Sequence, residues 1–157
     1  MNQDSISGSG VRRLRDRRRE STASEILSAA EQVFVERGFY ETHMAEIAAR
    51  AGVAVGTLYN HYKDRDALVT ALFAQRKAQM LERLDQSLAD SDGAPFPKQL
   101  RAALLVVFSH FEEHWQLFAM FWQGECGPPL MSQSSVEIQR QIYQRFDTLV
   151  ERARKQR

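Results

Sequence analysis

The sequence predicts an all-α protein, and three observations carry that prediction. Apolar residues recur at three- and four-residue intervals through most of the chain, as one face of a helix requires. No segment alternates convincingly in the two-residue period of a half-buried strand. The breaker residues that matter fall in a few places, at Gly38, Gly52, residues 90–97 and Gly127-Pro128-Pro129, and these divide the chain into helix-length pieces. No internal repeat is found.

The first ten residues, MNQDSISGSG, are polar and rich in Ser and Gly, and a dense basic cluster follows: Arg12, Arg13, Arg15, Arg17, Arg18 and Arg19. Residues 1–20 therefore read as a flexible basic arm. Ser21 to Arg37 places Ile26, Leu27, Ala30, Val33 and Phe34 at helical spacing, with Thr22 and Glu25 as a capping box. Gly38 stops this first helix. A short helix from Met44 to Arg50 carries Ile47 and Ala48, with Ala51 beyond it, on one side, and Gly52 breaks it. Another short helix runs from Val55 to Tyr62. Asp64 is the expected N-cap of a long helix through Leu68, Ala71, Leu72, Leu81, Leu84 and Leu88. Residues 90–97 form a joint. From Lys98 the helices resume: Leu100 to Glu125 is strongly apolar and aromatic, Gly127-Pro128-Pro129 interrupts it, and Ser135 to Arg157 is amphipathic through Val136, Ile142, Phe146 and Leu149.

Composition narrows the function classes. The 157 residues are 43% apolar and 26% charged, with four prolines, which excludes collagen-like and wholly disordered chains. The net charge of +1 conceals the arginine cluster, and distribution matters more than the total for a nucleic-acid binder. Cys126 is the single cysteine, so neither an intrachain disulfide nor a multi-cysteine zinc site can form. There is no apolar signal core and no uninterrupted apolar stretch of bilayer length, and the pair Arg12-Arg13 lacks the hydrophobic segment of a twin-arginine signal. A cytoplasmic protein with no membrane partner is expected.

The segment from Met44 to Tyr62 carries the sharpest signal. Two short helices crossing steeply need a small residue where they approach, a glycine where the chain turns, and apolar plugs in the wedge. Ala48, Gly52, Val53 and Leu58 supply these in order. With Leu58 and Tyr62 facing inward one turn apart, Gly56, Thr57 and Asn60 project outward and Tyr59 and His61 lie on the flanks. Amide, hydroxyl and imidazole groups on an exposed helix suit base edges and phosphates in the major groove.

The stretch ILSAAEQVFVERGFYETHMAEIAARAGVAVGTLYNHYKDRDALVTALF, from Ile26 to Phe73, resembles the DNA-binding domain of the TetR family of bacterial regulators. The resemblance rests on an Ala-rich first helix ending in Phe-x-x-x-Gly-Phe, then Ile-Ala, Ala-Gly-Val, Gly-Thr-Leu-Tyr and an acidic-capped fourth helix. It implies a three-helix helix-turn-helix domain over residues 21–65 and a helical regulatory domain for effector binding and dimerisation over 66–157. It implies phosphate contacts from Thr57, Tyr59, Lys63 and Arg65, and base-facing positions at Val55, Gly56, Asn60 and His61. Where the family has Ser or Thr caps, this chain has His43 and Ala54. Thr42 is then expected to cap the second helix, the helix starts to fray, and both Thr42 and His43 join the candidate DNA-contacting residues. Arg17, Arg18 and Arg19 are the expected backbone contacts of the arm.

The resemblance further implies double-stranded DNA with a palindromic operator as partner, a small-molecule effector of unknown identity, a homodimer, no cofactor and no enzymatic activity. The candidate effector pocket is Phe108, Phe111, His114, Trp115, Phe118 and Trp122. Because the sequence ends at Arg157 within a charged helix, the family's last two helices, which usually form the dimer interface, are expected to be missing. Two alternatives stand beside a ligand-responsive repressor: a DNA-binding fragment without effector control, and a metal-dependent hydrolase. The latter rests on His110-Phe111-Glu112-Glu113-His114, which matches the H-x-x-E-H pattern of a zinc peptidase class. Too little chain follows to supply a further ligand and a cleft. A structural or regulatory metal site ranks above catalysis, but the two histidines read first as ordinary polar or pocket-lining residues, and no metal is expected.

Overall fold

The computed structural model describes residues 5–122 and 134–155, with side chains placed for residues 10–120, 137 and 139–154. Cys126, the Gly127-Pro128-Pro129 break and the side chain of Trp122 lie outside the described residues. Seven helices and no strand are found among the described residues: α1 (Ser5–Arg37), α2 (Met44–Arg50), α3 (Val55–His61), α4 (Arg65–Asp90), α5 (Phe96–Glu113), α6 (Trp115–Trp122) and α7 (Ser134–Lys155). The all-α prediction holds. None of the described helices is long and apolar enough to cross a membrane.

The chain forms two compact units, Met1–Leu72 and Phe73–Arg157. The division falls inside α4 because that helix serves two cores. Leu68, Val69 and Leu72 are fully buried in the first unit, and Met80, Leu81 and Leu84 are buried in the second.

In the first unit α1 begins at Ser5, well before the expected Ser21, so residues 5–20 of the expected flexible arm are helical. The run from Val11 to Glu20 contains no proline or glycine and is dominated by arginine, one of the better helix formers. Residues 10–21 are all exposed. The expected capping box is therefore interior to the helix. Ser21 Oγ instead donates to Glu25 Oε1 at 3.2 Å. Ile26, Ala30, Val33 and Phe34, all with no exposure, join Phe39, Ile47, Ala48 and Leu58 in the core. Burying each large side chain of this set contributes about 1.5–3 kcal/mol. Arg50 on α2 makes a two-pronged pair with Glu36 on α1, with contacts of 2.9 and 2.7 Å. This holds the Glu36 carboxyl below its ordinary value.

In the second unit Ala103, His110, Leu117, Met120 and Leu149 are buried among α5, α6 and α7. The apolar and aromatic stretch that begins at Leu100 is divided at His114 (φ −117°, ψ 20°), which ends α5 before α6 begins. No breaker residue marks that point in the sequence. Arg145 on α7 pairs with Asp85 on α4 at 2.6 and 2.7 Å.

Candidate nucleic-acid interface

The turn between α2 and α3 sets the geometry. Gly52 has φ +68°, a left-handed conformation that an L side chain enters only at a cost, and the space around it is open. Its N–H donates to the Ala49 carbonyl at 3.2 Å and the Val53 N–H to the Ala48 carbonyl at 3.0 Å. These two bonds make the Schellman closure of a helix C-terminus. The chain then leaves α2 in the direction that starts α3 at Val55. α3 is anchored by one fully buried side chain, Leu58. Everything else on the helix is available to its surroundings in some degree.

Val55 is 41% exposed and Tyr59 50%, and Gly56 and Asn60 are exposed. Thr57 and His61 are half-buried, so Tyr59 faces outward and Thr57 lies on the flank, the reverse of the expectation. His61 leans on half-buried Tyr62 with ring centroids 6.1 Å apart, and burial raises the Tyr62 phenol above its usual value. A methyl group at Gly56 would meet nothing within 4 Å, so the protein itself does not require glycine there. Lys63 is almost entirely exposed, with its ammonium 3.7 Å from Asp64 Oδ2. Asp64 caps α4 as expected, Oδ1 accepting from the Ala67 N–H at 2.7 Å.

Three cap and contact expectations change. His43 and Ala54 occupy the N-cap positions of α2 and α3 in extended conformation with no side-chain cap, and both helices begin regularly nonetheless. Thr42 does not take over the cap. It is fully buried, and its hydroxyl donates to the Gly38 carbonyl at 2.7 Å, which closes the α1–α2 loop and removes it from the surface. Arg65 is likewise spent inside the domain. Its Nη1 lies 2.9, 2.7 and 3.1 Å from the carbonyls of Phe39, Tyr40 and Thr42, and its guanidinium sits 5.1 Å over the Phe39 ring. A loop with three inward carbonyls needs a donor, and Arg65 is that donor. His43, Val55, Gly56, Tyr59, Asn60 and Lys63 remain exposed in the first unit, as do Arg17, Arg18 and Arg19.

Residues 26–72 match the bacterial regulatory proteins of the tetR family. That segment of the chain, α1 from Ile26 through the first turns of α4, is of the tetR type. The fatty acid metabolism regulator protein of Bacillus subtilis is 32% identical over 87 residues, 55% of this chain and 42% of that one. The transcriptional activator FasR of Mycolicibacterium smegmatis is 31% identical over 116 residues, 74% of this chain and 50% of FasR. The chain thus spans half or less of the length of these relatives. A tetR-family regulator from Marinobacter aquaeolei superposes with a TM-score of 0.65 at 26% identity, covering 90% of this chain and 70% of that one. These matches give no support to the hydrolase alternative.

In the second unit the expected apolar pocket does not form as drawn. Phe108 and Trp115 are 67% and 62% exposed. Phe111 and Phe118 pack on each other with centroids 4.9 Å apart, and Phe118 also meets Phe73 and His110. They fill space rather than line it. An open groove of about 760 Å³ lies between α4 and α5, bordered by Gln79, Glu82, Arg83, Lys98, Glu113 and His114. Of the expected pocket residues with described side chains, only His114 reaches it.

The histidine pair is not ordinary either. His110 is 1% exposed, and neither ring nitrogen has a hydrogen-bond partner among the described residues. Burial first, then the neighbouring His114 and Arg83, lower its pKa to about 4. Glu113 receives a two-pronged pair from Arg83 at 2.6 and 2.9 Å. Arg83 escaped the sequence reading because its partner lies on another helix, and nothing local announces the pair.

Proposed function

We propose that the chain is a sequence-specific DNA-binding transcriptional regulator that reads the major groove with α3. The observation that carries this reading is a short helix held by one buried leucine on a rigid glycine turn, with small, hydrogen-bonding and aromatic side chains left outside, within the segment that matches the tetR family. Val55, Gly56, Asn60 and His61 face base edges in this reading. Val55 meets a thymine methyl, and Asn60 offers the two-pronged amide that suits adenine. Tyr59, Thr57, Lys63 and His43 take phosphates in this reading. Arg17, Arg18 and Arg19, on the exposed N-terminal part of α1, supply salt-sensitive backbone affinity.

Regulation by a small-molecule effector and action as a homodimer belong to the same proposal. Exposed Leu105 and Phe108 on α5 and Tyr143 and Val150 on α7 supply apolar surface for a second copy. Residues 1–20 then act as the arm, 21–65 as the reading domain and 66–157 as the regulatory domain of a cytoplasmic protein.

The test is a gel-shift titration against the DNA upstream of its own gene, with random duplex as reference. The expected outcome is binding at moderate salt that is at least about 1,000-fold tighter for the specific site. Equal affinity for both duplexes overturns the reading.

A further inference from the structure

We propose that His110, Glu113 and His114 form a binding site for a divalent transition-metal ion of the zinc class, in which the ion takes Glu113 over from Arg83. The site stands independently of the DNA-binding reading. The three residues occupy positions i, i+3 and i+4 at the end of α5, which brings them to one side of the helix. One ligand atom from each lies within 4.8 Å of the others, and the two imidazole centroids are 4.8 Å apart. A tetrahedral site with bonds near 2.1 Å needs donors roughly 3.4 Å apart, so modest side-chain rotation closes it.

The second observation is His110 itself. A buried polar ring with both nitrogens unpartnered among the described residues is costly, and native proteins retain very few such groups. Besides Glu113 and His114 themselves, its neighbours in the core are apolar or cationic. The Phe118 ring stands 6.2 Å away, and the charges that bear on it from α4 are Arg83 and Arg76. None of these accepts a proton from an imidazole. A metal ion between His110 and His114 gives the ring a partner, and two imidazoles with one carboxylate are the donor set that zinc, cobalt and nickel prefer over calcium or magnesium. Glu113 and His114 border the groove between α4 and α5, which provides the entry path and leaves a fourth position for water.

Arg83 is the competitor. It already neutralises Glu113, so binding exchanges one cation for another and frees Arg83 from α5.

The experiment is titration of the full chain with zinc against a colorimetric chelator, repeated with cobalt for its visible absorption spectrum. One ion per chain and the intense bands of a low-coordinate nitrogen–oxygen site are expected. His114→Ala and Glu113→Gln, both away from the core, should weaken binding by at least about 100-fold, beyond what loss of an outer-sphere partner costs. Circular dichroism checks that they remain folded. Arg83→Gln should bind about tenfold tighter. Absence of stoichiometric zinc binding, or unchanged affinity in His114→Ala and Glu113→Gln, overturns the site. An Arg83→Gln affinity at or below the parent's overturns the exchange.

Discussion

Arg65 and Lys63 stand two residues apart in sequence and end in opposite roles. Arg65 donates into three loop carbonyls and stacks on Phe39, while Lys63 extends into solvent. Arg65→Ala is therefore expected to destabilise the first unit by about 2 kcal/mol, because hydrogen bonds to a charged group are the strong ones and the carbonyls lose their donor. Arg65→Lys recovers only part, since an ammonium cannot reproduce the planar fork. Urea denaturation measures both, and a loss below about 0.5 kcal/mol for Arg65→Ala would return the residue to the surface. Lys63→Ala and Tyr59→Ala should leave the urea midpoint unchanged and weaken binding to every duplex, whereas Asn60→Ala should change which base is preferred. Equal loss on specific and random DNA for Asn60→Ala contradicts a base-reading role. The difference between Arg65 and Lys63 was not legible in the sequence. The carbonyls that claim Arg65 lie 23 to 26 residues earlier, and only the folded loop brings them there. Thr42 was misread for the same reason, since its acceptor is a backbone group with no sequence signature.

The short helices were legible because their sterics are local. Ala48, Gly52 and Leu58 each have a size or backbone requirement that fixes the position, and α2 runs from Met44 to Arg50 as read. Gly52→Ala should cost about 1–2 kcal/mol, the penalty of a left-handed L residue, and lower DNA affinity further than that loss of folding alone predicts. A chemical-denaturation series with binding measured well below the transition separates the two effects. The break at His114 and the helical form of residues 5–20 were not legible. No glycine or proline marks the first, and the Ser/Gly-rich opening masks the second. The α4–α7 pair gives a pH prediction at this scale. The Arg145 guanidinium holds the Asp85 carboxyl below its ordinary value, so its folded pKa lies beneath the unfolded one. The stabilisation is thus fully present above about pH 4 and is lost as pH falls through the folded value. Because the pair is partly exposed, it contributes about 0.5 kcal/mol. Asp85→Asn should be less stable than the parent by that amount at pH 7, and the gap should narrow in acid. A gap that widens on acidification contradicts the assignment.

At the scale of the whole molecule, one reading head is well built, and operator recognition depends on holding two. A dimer that matches a palindrome places its recognition helices about 34 Å apart or a multiple of it, one helical turn of DNA. In the proposed dimer the exposed apolar residues of α5 and α7 offer the surface for pairing, and each protomer would bring its own exposed, arginine-bearing stretch of α1 to the duplex. Two consequences are separable. Replacing Arg17, Arg18 and Arg19 by Gln should reduce the slope of log affinity against log salt by about 0.9 for every phosphate contact removed, leaving base preference intact. Inserting about 5 base pairs between the half-sites turns one of them to the opposite face of the duplex, so a dimer can engage only one. The two-protomer complex should then disappear from the gel, and affinity should fall at least about tenfold because the second contact no longer adds to the first. Restoring a full turn with about 10 base pairs should recover part of the loss if the spacing between protomers tolerates it. Affinity and stoichiometry that ignore the insertion would mean that the heads bind independently, and the dimer reading would fail while the assignment of α3 stands.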